Sequence, residues 1–281
     1  MDIGASIFFT EYSISPADLG AELEERGFDS LWVAEHSHIP VTRRFNVPTG
    51  GELERQYYDV MDPFVTLSAA AAATRRLKLA TGVCLVIQRD TIQTAKLVAS
   101  LDQVSGGRFI FGIGGGWNAE EMEDHGTVYE TRFKKLREQI EAMKAIWTNE
   151  KPEYHGELVD FPPMMTWPKP VQKPHPPIIV GGGFPHGARR AVNYGNGWMP
   201  IGGRGGDVLG MLPPFHEMLK KAGRKPEDVP VTLFGAAPDV DALKRARDAG
   251  VDRVVFGVPS EAKDKALPVL DRAAVAIKAM G

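Results

Sequence analysis

The sequence predicts one α/β domain over residues 1–281, folded as a (β/α)8 (TIM) barrel, and three observations favour this fold. Apolar runs of strand length alternate with longer segments of helical period, giving close to eight strand-helix pairs. The runs are apolar throughout, which is typical of parallel strands buried on both faces. The length falls in the range of a single barrel of this kind. A doubly wound open sheet is the alternative.

The predicted elements follow one another from the N-terminus. The first half has strands in DIGASIFF, DSLWVAEH, LKLATGVCLV and RFIFGIGGG, with helices between them in PADLGAELEERGF, DPFVTLSAAAAATRR and TIQTAKLVASLDQVSGG. After a long helix in YETRFKKLREQIEAMKAIW come strands in PPIIVGGG, GWMPI, VPVTLFGA and VDRVVFGV. Helices in HGARRAVNYG, MLPPFHEMLKKAG and DVDALKRARDAG separate these strands, and a last helix ends at Ala279. The glycines of GF, GG and AG before successive strands stand where helix C-caps belong.

The composition is that of a globular protein and disfavours two kinds of partner. Of the residues 43% are hydrophobic and 25% are charged, and the formal net charge is −3, so no excess positive charge attracts nucleic acid. No apolar run approaches the roughly 20 residues of a membrane helix, and the N-terminus has an acid where a signal peptide would be basic. We expect a cytoplasmic protein whose single Cys84 is a buried, inert thiol.

Two segments are too long to be simple connections. Residues 37–61 follow the second predicted strand, and residues 150–177, which contain eight prolines, precede the fifth. Loops of this length in a compact domain are usually lids or binding loops. The first would rise from the carboxyl ends of the strands, where the active sites of barrels lie. We therefore expect the first loop to contact a ligand more readily than the second.

Glycines follow the fourth predicted strand in GIGGGW, residues 112–117. A dinucleotide fingerprint does not fit, because Trp117 stands where the third glycine is required. Gly114, Gly115 and Gly116 have no side chains, so a flat or bulky ligand can rest against the backbone. The alternative is a tight turn from strand to helix with no ligand.

A second glycine cluster, GGGFPHGARRA at residues 181–191, again links a strand to a helix. Its backbone N–H groups, the helix dipole and either Arg189 or Arg190 suit a phosphate or a carboxylate. Two such turns on one face of a barrel indicate one extended ligand with an anionic arm. Alternatively, the two arginines only solvate a face of the helix.

The second predicted strand ends in Glu35, His36, Ser37 and His38. A carboxylate beside imidazoles at this end of a barrel strand can exchange protons with a ligand or orient it. His36 and His38 could also be half of a metal site, as in a metal-dependent hydrolase, or His36 could be structural. The ends of strands five to eight provide no His, Asp or Glu to complete a metal site, so we predict none.

Taken together, these motifs resemble the luciferase-like monooxygenase superfamily, in particular its branch of deazaflavin (coenzyme F420)-dependent oxidoreductases, common in actinobacteria. The resemblance extends from about residue 3 to residue 201 and is carried by LGAELEERGFDSLWVAEH, RLKLATGVCL, LDQVSGGRFIFGIGGGW and KPVQKPHPPIIVGGG followed by GNGWMPI. It implies a (β/α)8 barrel, often a homodimer, that holds an isoalloxazine-like ring at the carboxyl ends of its strands.

The resemblance also implies roles for individual residues. It places Glu35 and His36 beside the ring and the substrate, and it implies a non-prolyl cis peptide between Gly82 and Val83 that backs the ring. The glycine turns would contact the cofactor chain and its phosphate. From the motifs and the resemblance together, we predict cofactor contacts at Gly82, Val83, Gly114, Gly115, Gly116, Gly181, Gly182, Gly183 and Arg189.

One residue departs from the sugar-phosphate dehydrogenase of this superfamily, which has a glutamate where this sequence has Trp117. An indole cannot accept a proton, so the departure disfavours sugar-phosphate oxidation. Trp117 is expected to pack against a ring or an apolar substrate, and His38 is expected in the same substrate pocket.

The leading hypothesis is an oxidoreductase that moves a hydride between F420 and an unidentified organic substrate. His36 would donate a hydrogen bond to a substrate oxygen or accept one from it. Glu35 would orient His36, and residues 37–61 would cover the site. FMN with oxygen, as in a monooxygenase, is the alternative on nearly the same scaffold. A cofactor-binding protein with little catalysis is a further alternative.

Overall fold

The strands lie close to the predicted apolar runs in a computed structural model that describes residues 1–44, 52–200 and 207–280. Residues 45–51, in the middle of the predicted lid, and residues 201–206 lie outside the described residues. The strands are β1 (Asp2–Ile7), β2 (Ser30–Val33), β3 (Lys78–Thr81), β4 (Phe109–Ile113), β5 (Tyr154–His155), β6 (Asp160–Phe161), β7 (Ile178–Gly181), β8 (Gly197–Met199), β9 (Thr232–Ala236) and β10 (Arg253–Gly257).

The helices alternate with these strands. They are α1 (Pro16–Glu25), α2 (Gln56–Asp59), α3 (Pro63–Ala73), α4 (Thr91–Ser105), α5 (Ala119–Asp124), α6 (Arg132–Thr148), α7 (His186–Tyr194), α8 (Val208–Lys221), α9 (Val240–Asp248) and α10 (Lys263–Met280). Side-chain caps fix several of their starts: the Asp62 carboxylate accepts from Phe64 N at 2.8 Å, and Asp90 accepts from Gln93 N at 2.7 Å. None of the helices in the three described ranges is long and apolar enough to span a bilayer.

Eight strands form one parallel sheet that closes almost completely into a barrel. Their order is β8, β7, β4, β3, β2, β1, β10 and β9. The two edge strands meet through a bridge between Trp198 and Val231 and through a 3.1 Å hydrogen bond from Phe234 N to Pro200 O. The predicted (β/α)8 barrel is therefore confirmed, and the open doubly wound sheet is wrong.

Successive side chains along each strand point to opposite faces of the sheet, one towards the helices and one towards the inside of the barrel. On β2, Leu31 and Val33 pack among the helices, whereas Trp32 belongs to a second, smaller apolar cluster inside the barrel. The other buried members of that interior cluster are Ala80, Ile110, Ile179, Met199 and Val255. Both sheet faces are thus buried, as the continuous apolar runs predicted.

The proline-rich segment 150–177 lies along the side of the barrel. It contains an antiparallel hairpin, β5–β6, that the sequence analysis did not predict. The Glu138 carboxylate on α6 accepts from Leu158 N at 2.7 Å, and the ammonium group of the buried Lys169 donates to Asn149 O at 2.7 Å. These bonds fasten the segment to the first half of α6 and to its C-terminal end.

The predicted burial of Cys84 is confirmed. Its side chain is fully buried directly after β3. Burial, together with the nearby Glu35 carboxylate, raises the pKa of the thiol well above its ordinary value. A thiol in this state is a poor nucleophile at neutral pH.

Candidate active site

The segments after β3, β4 and β7 meet at the carboxyl ends of their strands. A cis peptide bond joins Gly82 and Val83, as the resemblance implied. Val83 lies between the two glycine turns, because a Cβ added to Gly114 would be 2.6 Å from its Cγ2 and one added to Gly181 would be 3.0 Å from its Cγ1. On the other side of the bond, the Phe234 ring would be 3.0 Å from a Cβ at Gly82.

The glycines after β4 have a packing role that the sequence analysis did not foresee. A Cβ at Gly115 would be 2.4 Å from the ring of Phe133, so this position accommodates the ring of α6. Gly116 has a φ of +63°, which favours glycine. Around Gly183, by contrast, no atom of the described residues lies within 4 Å of the Cβ position. Close packing explains Gly114 and Gly115, and open space for a ligand lies at the second turn.

Two arginines stack on Phe133 beside these turns. The guanidinium carbon of Arg190 is 3.8 Å from the ring centroid, and that of Arg132 is 4.3 Å from it. Arg190 also lies against the second turn, with Nη2 3.1 Å from the Cβ position of Gly182. The buried Nε atoms of both arginines have no hydrogen-bond partner among the described residues. Burial above all, and the nearby charge of Arg132 as well, lower the pKa of Arg190.

The arginine beside the turn is thus Arg190, and not Arg189. Arg189 is exposed on the same helix. The sequence analysis weighed both residues and chose Arg189 for the anion contact. The glycine spacing could not distinguish them, because the choice depends on which face of α7 lies against Phe133.

His36 is held by a buried carboxylate. Its Nδ1 lies 2.8 Å from Glu121 Oε2, and the other oxygen of Glu121 accepts from Ser37 N at 3.0 Å. Glu121 is fully buried, and the side chain of His36 is 7% exposed. The imidazole also lies beside aromatic rings, 5.9 Å from Trp117 and 5.6 Å from Tyr57 between centroids. Because Nδ1 contacts Glu121, Nε2 is the nitrogen left for a substrate.

Glu35 has a different position from the one predicted. Its carboxylate accepts from Leu85 N at 2.6 Å and forms an ion pair with Arg89, which also binds Asp62 at 2.6 Å. Burial is the largest single influence and acts to lower the pKa of Arg89, but Glu35, Cys84 and Asp62 together outweigh it, so the pKa is raised. In the described part of the chain no hydrogen bond joins Glu35 to His36. Glu35 therefore fixes the segment after β3, and the carboxylate that orients His36 is Glu121.

The ring of His38 is bonded to helix α5 and to its neighbour Ser37. Its Nε2 is 2.9 Å from Asp124 and its Nδ1 is 2.9 Å from Ser37 Oγ, so both ring nitrogens have partners in the chain, and a role in substrate binding stays a prediction. Its side chain is 40% exposed. Across the described ranges, no three His, Cys, Asp or Glu side chains are arranged to hold a metal ion.

Comparison with known families decides what kind of barrel this is. The family model of the luciferase-like monooxygenases matches residues 16–264. This chain belongs to the luciferase-like monooxygenase family. The resemblance seen in its sequence motifs is thereby confirmed.

Relatives of this luciferase-like protein use different cofactors. An uncharacterized protein of Mycobacterium tuberculosis is 38% identical over 279 residues, which are 98% of either chain. The F420-dependent glucose-6-phosphate dehydrogenase of Kineococcus radiotolerans is 28% identical over 77% of this chain and 61% of its own. The FMNH2-dependent dimethylsulfone monooxygenase of Pseudomonas putida is 31% identical over 65% of this chain and 51% of its own. The family therefore includes F420-dependent and FMN-dependent oxidoreductases.

Solved structures share the luciferase-like fold with this chain. A monooxygenase of Streptomyces bottropensis has a TM-score of 0.77 at 21% identity, with 99% of each chain covered. An F420-dependent secondary alcohol dehydrogenase, in complex with an F420-acetone adduct, has a TM-score of 0.77 at 18% identity, with 100% of each chain covered. Identities this low support the fold alone.

The residues present fit the kind of cofactor that this family implies. The Nε groups of Arg132 and Arg190 are buried without a partner among the described residues, Arg190 lies against Gly182, and the Cβ position of the next residue, Gly183, is open. Val83 and the cis peptide form a wall between the strand ends. The sequence analysis missed Glu121, Arg132 and Phe133. Glu121 is one of four acids in EEMED, and no pattern within that run indicates which one faces His36.

Proposed function

We propose that this chain is an oxidoreductase that moves a hydride between coenzyme F420 and an organic substrate. One observation carries the coenzyme site: two arginines, whose buried Nε groups have no hydrogen-bond partner among the described residues, stack on Phe133 beside both glycine turns. Such a cluster suits the phosphate of a flavin-like coenzyme. The bound coenzyme would supply the hydride chemistry, while the chain supplies binding, orientation and electrostatics.

The arginine cluster would hold the anionic arm of the coenzyme. Arg190 lies between the Phe133 ring and Gly182. Because its side chain is already held in place, binding an anion would cost little further conformational entropy. Arg132 is fixed in a similar way, because its Nη1 donates to Tyr129 O at 2.7 Å. Backbone N–H groups at the start of α7 add to the attraction for an anion.

His36 would act on the substrate oxygen through Nε2. With Nδ1 bonded to the carboxylate of Glu121, a neutral His36 has a free acceptor at Nε2 and can take a proton from an alcohol. The protonated ring would donate to a carbonyl oxygen in the reverse direction, stabilised by the same carboxylate. Trp117 and Tyr57, next to the imidazole, would exclude water from this point.

The proposal includes further expectations about partners. A small organic substrate and a second copy of the chain are the partners we propose, with no nucleic acid and no membrane, in the cytoplasm. FMN-dependent oxygenation is the second candidate, favoured by the Pseudomonas putida relative. Both coenzymes carry a phosphate, so the arginine cluster is expected to serve either one.

The matched pair Arg190→Gln and Arg189→Gln tests the assignment of the anionic arm. We expect Arg190→Gln to weaken binding of F420 or FMN about 10- to 100-fold, since a hydrogen bond to a charged group contributes about 1.5–3 kcal/mol. Arg189→Gln should bind like the wild type, because Arg189 is exposed. Riboflavin, which lacks the phosphate, should bind equally to all three proteins. Fluorescence titration measures each affinity, and equal losses for the two variants would contradict the assignment.

A further inference from the structure

A polar pocket of about 420 Å³ lies beside the barrel and is distinct from the site at the strand ends. Its walls are the segment after β3, helix α6, the end of α5 and the β5–β6 hairpin. We call it the side pocket. Neither the arginine cluster nor His36 lines it. Its volume falls in the range of about 300–1,000 Å³ that is usual for small-molecule sites.

Two buried glutamines in the side pocket have polar atoms without partners. Gln88 is only 9% exposed, and neither its amide nitrogen nor its amide oxygen has a hydrogen bond to any described residue. Gln139 is 1% exposed; its Nε2 donates to Arg89 O at 3.0 Å and to Thr91 Oγ1 at 3.2 Å. Its Oε1 has no partner within the described ranges. Buried amide groups are almost always hydrogen-bonded, so these atoms indicate a ligand that both donates and accepts.

The charges around the side pocket balance. Lys135 and Arg89 contribute two positive charges, Asp90 and Asp160 contribute two negative ones, and the formal sum is zero with His125 neutral. The ammonium group of Lys135 already donates to Ile87 O at 3.0 Å, and burial lowers its pKa. A pocket with this balance has no excess charge to attract an ion, so it favours a neutral ligand.

The hairpin adds an apolar wall. Val159 and Phe161 are buried, 8% and 5% exposed, and they line the pocket with Leu158. A pocket lined by both apolar side chains and amides matches the two kinds of surface on a sugar, whose hydroxyl groups lie around the ring and whose C–H bonds form its faces.

We propose that the side pocket binds a neutral polyhydroxylated molecule of about monosaccharide size. Hydroxyl groups both donate and accept, which matches the two amide atoms of Gln88 and Oε1 of Gln139 that have no partner among the described residues. The ring would pack against the hairpin at Phe161. This site is independent of which coenzyme the barrel binds.

Saturation-transfer NMR of the full chain with D-glucose and myo-inositol tests the proposal. We expect both probes to bind the wild type, and we expect Gln88→Leu and Gln139→Leu to weaken that binding at least about tenfold. Gln93→Leu, an exposed change on α4 outside the pocket, should bind like the wild type. D-gluconate and D-glucosamine, which are charged analogues of similar size, should bind more weakly than D-glucose.

Thermal melting separates loss of the site from loss of the fold. Because Gln88→Leu removes buried unpaired polar atoms, its Tm without sugar should equal or exceed that of the wild type. The proposal is wrong if neither neutral probe binds the wild type, or if the leucine variants bind the probes as well as Gln93→Leu does. It is also wrong if crystals soaked in D-glucose contain only ordered water bonded to Gln88 and Gln139.

Discussion

The imidazole of His36 has one ring nitrogen bonded to a buried carboxylate, and the other has no hydrogen bond to any described residue. A carboxylate in this position fixes the tautomer and the orientation of the ring. Glu121 is well placed for this function, because Ser37 N binds its second oxygen and holds it in position. The proton chemistry that we propose therefore depends on Glu121 as much as on His36.

The variant Glu121→Gln is expected to lower kcat about 100-fold, because it keeps the shape of the side chain but removes the charge that supports a protonated His36. Coenzyme affinity should change less than about twofold, since the arginine cluster is intact. The control is Glu123→Gln, whose carboxylate binds only Arg44 among the described residues. Rates of F420 reduction and oxidation with secondary alcohols and unsaturated ketones measure the effect. Full activity of Glu121→Gln would remove Glu121 from the mechanism.

Single residues were the part of the site that the sequence could least predict. The motif ending at His38 correctly located polar groups after β2. The partners of His36 and His38, however, lie on helix α5, 85 and 86 residues further along the chain. Glu35 is next to His36 in sequence and points to Arg89 instead, because consecutive side chains after a strand face opposite sides. Local sequence contains no signal for these long-range pairings.

At the scale of elements, the glycine turns join strands, helices and the proposed coenzyme site. In the turn after β4, Gly115 has no side chain, so the ring of Phe133 on α6 can pack against the backbone. Arg132 and Arg190 stack on that ring. The turn after β7 leaves open space at Gly183. Turns that look alike in sequence thus differ in physical role.

The pair Gly115→Ala and Gly183→Ala tests this difference. The added methyl group at Gly115 would overlap the Phe133 ring, so we expect a loss of about 1–3 kcal/mol in the free energy of unfolding. Gly183→Ala should leave the stability unchanged within about 0.5 kcal/mol, because its Cβ position is open. Urea denaturation gives both values, and equal stabilities for the two variants would show that Gly115 has no packing role.

The elements themselves were largely predictable, except the short ones. Strands and long helices have enough residues to show a period, and they lie where the pattern indicated. Helix α5 and the β5–β6 hairpin are too short to show one. Yet α5 holds the segment after β2, with Arg44 Nε bound to Glu120 at 2.8 Å and His38 bound to Asp124.

At the scale of the whole molecule, the barrel has apolar side chains exposed on neighbouring helices. Val65 on α3 and Val104 on α4 are 69% and 64% exposed, and Leu97 on α4 is 37% exposed. Together with Phe64 and Leu101, they line one groove between the two helices. We propose that this surface is the interface of the homodimer expected from the sequence.

We expect the wild type to be a dimer in solution and a double variant, Val65→Glu with Val104→Glu, to be a monomer. Two buried, unpaired carboxylates on each side would destabilise the interface. Val275→Glu is the control, since Val275 is 67% exposed on α10, outside the groove. Sedimentation velocity distinguishes the states, and a double variant that stays dimeric would place the interface elsewhere.

The fold of the whole chain followed from the alternation of elements, because a run of buried parallel strands with intervening helices has few solutions. The sequence did not show which residues close the barrel. The bridge between Trp198 and Val231 joins two strand segments that look like any others in sequence. The chain has the fold of a family of oxidoreductases that includes F420-dependent and FMN-dependent members. The identity of the coenzyme is then a matter for direct measurement.

The most direct test of the central claim is a parallel fluorescence titration of the purified apo-protein with F420 and with FMN. The account predicts that F420 binds, with its phosphate held at the arginine cluster, and that its Kd is lower than that of FMN. Tighter binding of FMN would contradict the assignment to F420 and point to oxygen-dependent chemistry. Binding of neither coenzyme would contradict the coenzyme site itself, including the function proposed for Arg132 and Arg190.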